Sequence, residues 1–183
     1  IAIPGDGIHQ IEFGTGDMCV INNNAELYCW GSGSHYQCPV TISSCEVLHR
    51  VNIVPNNFEV SLVLMTSAST CILINNGSIY CWGEVYSSTS GNNNPTHPLF
   101  STTEINYLSI GGADVLSIDS GDFYSGSGWG LYGQADSHCA VLSNGSVACW
   151  GSNFAGQLSN SNGFTDRYFS GIFFNEPTSG ERF

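Results

Sequence analysis

SHCAVLSNGSVACWGSNFAGQL, residues 137–158, is the segment from which the rest of the chain can be read. It recurs twice upstream in weaker form, as DMCVINNNAELYCWGSGSHYQC from Asp17 and STCILINNGSIYCWG from Ser69. Each copy carries two cysteines with Trp-Gly directly after the second. The pairs are Cys19/Cys29, Cys71/Cys81 and Cys139/Cys149, followed by Trp30-Gly31, Trp82-Gly83 and Trp150-Gly151. Like units at recurring intervals indicate an architecture built by repetition.

In the third copy two short apolar runs, Ala140 to Leu142 and Val147 to Trp150, flank Ser143-Asn144-Gly145. Asn-Gly between apolar runs is a strong hairpin signal. A three-residue loop with glycine in the left-handed position sets Cys139 opposite Cys149 and Val141 opposite Val147. The second copy behaves alike around Asn75-Asn76-Gly77, with Cys71 facing Cys81 and Leu73 facing Ile79. In the first copy Ala25 stands where the glycine should be. An alanine is strained in a left-handed conformation, so that turn is expected to differ.

Directly opposed cysteines on antiparallel strands lie within reach of a disulfide, and closing so short a loop contributes roughly 2–3 kcal/mol. Buried free thiols are the bland alternative, but one spacing repeated three times argues against it. Zinc is weaker still, because its cysteines stand about two to four residues apart. The second hairpin presents Cys71, Leu73, Ile79 and Cys81 on one face and Ile72, Ile74, Tyr80 and Trp82 on the other. A simple sandwich leaves one face of a hairpin wet. Two apolar faces, repeated along the chain, point to radially packed blades of a β-propeller.

The third copy resembles the repeat of the regulator of chromosome condensation (RCC1) family, in its secreted, cysteine-bearing variety. The residues that match are Cys139, Leu142, Gly145, Val147, Cys149, Trp150, Gly151, Asn153, Gly156, Gln157 and Leu158. The second copy matches as far as Gly83. The first keeps Gln37 but has Cys38 where the pattern has leucine. The resemblance implies an all-β fold of antiparallel blades about fifty residues long, in a family that usually closes a ring of seven. Here Trp30 and Trp82 are 52 residues apart and Trp82 and Trp150 are 68 apart. The expectation is one domain over 1–183 with three to four blades, approximately 1–50, 51–108 and 109–183, the last with an insertion at 122–136. So few blades do not obviously close a ring, and an unclosed one exposes edges and apolar faces.

The chain has 183 residues, 15 acids and only three basic residues, Arg50, Arg167 and Arg182, for a net charge of −12. Nucleic-acid binding is disfavoured, because phosphate contacts need Lys and Arg. No apolar run is long enough for a membrane helix. Eight cysteines, an even count, point to an oxidising compartment and hence to an extracellular protein. Cys38 and Cys45 lie outside the hairpin rule; they pair with each other or one bonds a neighbouring chain.

Several further segments carry expectations. The insertion holds Phe123, Tyr124, Trp129 and Tyr132 among glycines. It reads as a degenerate blade that has lost its hairpin, or as an aromatic loop that is a possible binding face. The apolar tail from Phe164 to Phe183 is expected to complete the first blade or to add to the edge of a neighbouring chain. Asn76-Gly77-Ser78 and Asn144-Gly145-Ser146 are N-glycosylation acceptor sequences at two hairpin tips, and equally good turn chemistry. The five histidines, His9, His35, His49, His97 and His138, have no metal-ligand spacing and read as turn or strand-end residues. No nucleophile motif appears. The expectation is therefore a non-enzymatic extracellular structural protein without cofactor. It self-associates or joins other subunits in a fibre, ring or surface layer. The alternative is a secreted binding module for a protein or glycan.

Overall fold

The computed structural model describes residues 2–32, 45–52, 59–67, 69–83, 99–105, 114–124, 134–151 and 169–175. Within them are twelve strands and no helix. The first four are β1 (Ile8–Phe13), β2 (Asp17–Asn22), β3 (Leu27–Gly31) and β4 (Cys45–Arg50). Then come β5 (Val60–Met65), β6 (Ser69–Ile74), β7 (Ile79–Gly83) and β8 (Leu99–Ile105). The last are β9 (Val115–Tyr124), β10 (Gln134–Leu142), β11 (Val147–Gly151) and β12 (Phe169–Asn175). They form three four-stranded antiparallel sheets, each with its strands paired in chain order. We number them sheets 1, 2 and 3.

The middle hairpin of each sheet has the register that its turn dictates. Cys19 pairs with Cys29, Cys71 with Cys81, and Cys139 with Cys149. A disulfide joins each pair across Cα separations of 4.2, 4.1 and 4.1 Å. Those separations are typical of the closer, non-hydrogen-bonded positions of an antiparallel ladder. Cys45 is also disulfide-bonded, whereas Cys38 lies outside the described residues.

The turns correct one expectation. Gly77 N–H donates to Ile74 O and Gly145 N–H to Leu142 O, both at 2.9 Å, with φ of +85° and +83°. Ala25 closes the same turn in the first hairpin: its N–H donates to Asn22 O at 3.0 Å, with φ of +59°. The first turn does not differ. The disulfide fixes the strand register below it, and the Asn22 side chain clasps the loop above. Asn22 Oδ1 accepts from the N–H groups of Asn24 (3.0 Å) and Glu26 (2.9 Å). In the other hairpins a loop asparagine does this: Asn76 Oδ1 accepts from Ser78 N–H and Asn144 Oδ1 from Ser146 N–H.

Trp-Gly marks a second recurring device. In every sheet the register against the fourth strand shifts at this dipeptide, between Cys29 and Gly31, Cys81 and Gly83, and Cys149 and Gly151. Such a bulge kinks the strand and re-aims the side chain beside it. Gly31 and Gly83 have φ of +148° and +125°, which favours glycine. A Cβ at Gly31 would also overlap Asp17 and the Gly16 carbonyl.

The sheets stack through their faces. Cys19, Ile21, Leu27 and Cys29 of sheet 1 form one core with Ile72, Ile74 and Trp82 of sheet 2. Cys71, Leu73, Ile79 and Cys81 of sheet 2 form another with Ile118, Ala140, Ala148 and Trp150 of sheet 3. Both faces of sheet 2 are thus buried, as two apolar faces demand. At the inner edge β1 and β9 each lie beside β5.

One more sequence reading changes. The strand of the tail, β12, pairs with β11 of its own sheet rather than with the first. Covering Val147–Gly151 satisfies an otherwise open edge close at hand in the chain. The stretch read as an insertion is strand at both ends, with Tyr124 paired to Gln134 and Phe123 to Ala135. Residues 125–133 lie outside the described residues.

Candidate functional site

Each seam buries the disulfide face of one sheet under the tryptophan face of the next. The stack therefore has a direction and leaves two unlike outer faces. On sheet 3 the outer face holds the Cys139–Cys149 disulfide, half-buried, with Val141 43 % exposed and Val147 36 % exposed. The equivalent Leu73 and Ile79 of sheet 2 are buried. Register places Ser117 opposite Val141 and Asp119 opposite Cys139, so this apolar centre has a polar inner margin. On sheet 1 the outer face carries Ile11 and Phe13, both exposed, with Met18 and Trp30 half-buried. Val20 and Tyr28 on that face are buried. Two faces that expose aliphatic and aromatic groups at positions buried elsewhere in the repeat are candidate contact surfaces.

The inner edge is protected differently. Gln10 reaches from β1 to β5, where its Nε2 donates to Val63 O at 2.7 Å and its Oε1 accepts from Val63 N–H at 3.0 Å. One side-chain amide thus satisfies both backbone groups of a residue on an open strand edge.

The first hairpin tip is wrapped by the segment before β1. Asn22 Nδ2 donates to Pro4 O and to Glu26 Oε2, each at 2.8 Å, and Asn23 Nδ2 donates to Asp6 O at 3.0 Å. Glu26 also accepts from the Tyr28 hydroxyl (3.1 Å) and pairs with Arg50 at 2.7 Å. The Asn22 hydrogen bond, with help from Tyr28 and Arg50, holds the Glu26 carboxyl below its ordinary pKa. Burial and the neighbouring Glu26 push the Tyr28 hydroxyl up. All of this is a structural clasp around an acid kept ionised.

The feature that sequence reasoning missed is His138. It lies within β10, not at a strand end, and is 2 % exposed at the seam between sheets 2 and 3. Its Nδ1 is 2.6 Å from Ser120 Oγ and its Nε2 is 3.4 Å from Ser69 Oγ. Cys71 Sγ lies 3.9 and 4.0 Å from the two ring nitrogens. The imidazole stacks on Trp150 with centroids 5.3 Å apart. Burial pushes its pKa down to about 4. A stacked indole attracts an imidazolium, but water exclusion outweighs that attraction. The available signal was positional. Aligning the repeats puts His138 where Met18 and Thr70 stand, on the face that carries the tryptophan.

Of the other residues singled out, Asn76 and Asn144 are exposed at their hairpin tips, while Ser78 and Ser146 beside them are buried. Trp129 and Tyr132 lie outside the described residues, and Phe123 and Tyr124 are placed as the last residues of β9. Among the described residues no group of three His, Cys, Asp or Glu could hold a metal ion. No described helix is long and apolar enough to cross a membrane.

No family model and no curated protein matches the sequence. Solved structures do resemble the fold. Human WBSCR16 superposes with a TM-score of 0.67 at 15 % identity, covering 94 % of this chain and 40 % of that one. Prp20p of Saccharomyces cerevisiae, solved in a study of its binding to Gsp1p and histones, superposes with a TM-score of 0.66 at 13 % identity. That match covers 87 % of this chain and 36 % of Prp20p. The chain therefore spans less than half the length of either. With its repeated Cys-Trp-Gly hairpins, its three directional sheets and these neighbours, the chain is an RCC1-like β-propeller repeat protein in fold, stapled within each sheet by a disulfide.

Proposed function

We propose that this is an extracellular structural or assembly protein that associates through the outer faces of its stack, with itself or with other subunits, into a ring, fibre or surface layer. One observation carries the reading: Val141 and Val147 are exposed at positions whose counterparts in sheet 2 lie under the next sheet. Burying an apolar side chain stabilises by roughly 1.5–3 kcal/mol, so the same contact made across a subunit boundary is favourable. Low charge repulsion is not the cause, since the chain carries −12. Apolar contact must outweigh that repulsion, and added salt should strengthen the assembly by screening it. The disulfides support an oxidising compartment. Glycans on Asn76 and Asn144 would project from the hairpin tips, away from the stacking faces.

The test is native mass of the oxidised chain at micromolar concentration, beside a V141D/V147D variant. The expected result is assemblies for the unaltered chain and monomer for the variant. A monodisperse monomer of the unaltered chain would overturn the reading. The fold also supports a second reading, a binding module for a protein or glycan. Prp20p, with the same fold, is described by its binding to Gsp1p and histones. For this chain the possible binding face is Phe123, Tyr124, Trp129 and Tyr132, and a monomeric native mass would favour it. Neither reading involves catalysis or a cofactor.

A further inference from the structure

The seam between sheets 2 and 3 contains a titratable group that the assembly reading does not use. His138 contacts Ser69 and Cys71 of sheet 2 on one side and Ser120 and Trp150 of sheet 3 on the other. Its surroundings can be followed element by element. From the turn between β5 and β6, Thr66 bonds to Ser69 behind it, with the two hydroxyls 2.8 Å apart. Cys71 from β6 is locked in its disulfide. Ser120 comes from β9 and Trp150 from β11. None of these groups carries or gains a charge between pH 7 and pH 4; Asp122 and Asp136, paired with each other two positions along the ladder from Ser120 and His138, lie outside the described side chains. Asp119, next to Ser120, is paired in register with Cys139, so it belongs to the opposite face and is exposed.

Hydrogen bonding alone does not forbid protonation, because both serine hydroxyls can accept. The obstacle is a charge shut away from water, with no counter-ion among the described side chains. At the position equivalent to His138 seam 1–2 has Thr70; its own titratable groups, Asp17 and His49, come from the disulfide face of sheet 1.

We propose that His138 makes the sheet 2–sheet 3 seam an acid-labile joint, which opens when the imidazole takes a proton and thereby exposes the buried Cys71–Cys81 disulfide. The hairpins survive opening because each has its own disulfide. Protonation is favoured in the opened state below its ordinary pKa of 6.5, and in the closed state only near 4. Opening is therefore unassisted at pH 7, and by pH 4 it is favoured on the order of 100-fold more. This inference does not depend on whether copies of the chain associate.

The experiment is brief exposure of the oxidised chain to a water-soluble phosphine at pH 7, 5.5 and 4, followed by thiol capture and peptide mass mapping. A small disulfide peptide added to each reaction calibrates the reagent's own pH dependence, because Cys139–Cys149 lies on the face proposed to associate. The expected result is acceleration of Cys71–Cys81 reduction, relative to that reference, by tens- to a hundred-fold between pH 7 and 4. H138Q should remove the acceleration at Cys71–Cys81 and leave the rate at Cys19–Cys29 unchanged. Acceleration of Cys71–Cys81 that persists in H138Q overturns the proposal. If H138Q does not fold, proton NMR of the unaltered chain decides: an imidazole midpoint at or above 6 overturns the joint, and one near 4 supports it.

Discussion

The two seams of the stack share one backbone frame and differ in what fills it. Seam 1–2 is filled by Ile21, Leu27, Ile72, Ile74 and Trp82, and Gln10 fastens its inner edge to Val63. Seam 2–3 has Ala140 and Ala148 where sheet 2 offers Ile72 and Tyr80, and His138 occupies the space beside Trp150. Small residues make room for an imidazole and its hydroxyl partners. One repeat thus supports a joint whose tryptophan face carries Thr70 against Asp17 and His49 of the sheet before it, or a joint whose tryptophan face carries an imidazole.

That contrast can be broken most severely at the tryptophans. Trp82→Ala and Trp150→Ala each remove a fully buried side chain and should cost about 3–5 kcal/mol in urea unfolding. They should separate in their effect on His138. Trp150→Ala admits water to the imidazole and raises its pKa toward 6.5, whereas Trp82→Ala, in the other core, leaves it near 4; NMR titration reads both.

Next in size is the pH term. The folded pKa of His138 lies below its unfolded value, so the unfolded state binds the proton more readily. The contribution of a neutral, buried imidazole is fully present above pH 6.5. It is lost as pH falls through 6.5 toward 4, by about 3 kcal/mol in all. Denaturant midpoints of the unaltered chain and of His138→Gln should converge or cross over that window. Parallel pH profiles would show that His138 does not distinguish the seams.

Disulfide removal sharpens the comparison further. Cys71→Ala with Cys81→Ala should cost roughly 2–3 kcal/mol from the loop constraint, with a packing loss added because both residues are buried. Cys139→Ala with Cys149→Ala should cost the loop term with less packing loss, since that pair lies on an open face. Thermal unfolding of the two double variants ranks them.

The smallest effect concerns the turns. Ala25→Gly should stabilise by about 0.5–1 kcal/mol, because it relieves a left-handed alanine at the cost of a more flexible unfolded chain. A loss of stability would mean that the Asn22 clasp, rather than the residue at 25, sets that turn.

Much of this was legible in the sequence. Asn-Gly at two tips, with cysteines in register below, determines which residues face each other, and the alternation then assigns both apolar faces of sheet 2. Ala25 was misread because a local penalty of about 1–2 kcal/mol is smaller than the combined demand of the register and the Asn22 hydrogen bonds. His138 was misread because it was weighed alone; the repeat alignment puts it on the tryptophan face, and only the stacking of sheet 3 on sheet 2 makes that position interior. The destination of the tail was not legible. Phe169–Asn175 is apolar enough to pair with several edges, and nothing local to it selects β11. The candidate contact face was half legible, since the faces could be assigned but not which of them the stack leaves open.

The direction of stacking has a consequence for how such a chain grows. A sheet that offers a disulfide face forward and a tryptophan face backward fits between any two of its own kind. Duplicating a single repeat within the gene inserts a sheet that meets a matching face on each side, and no neighbour needs a compensating substitution. Length is then free to vary under selection while the direction of stacking is kept, and a titratable residue acquired in one repeat is copied into a new joint when that repeat is duplicated.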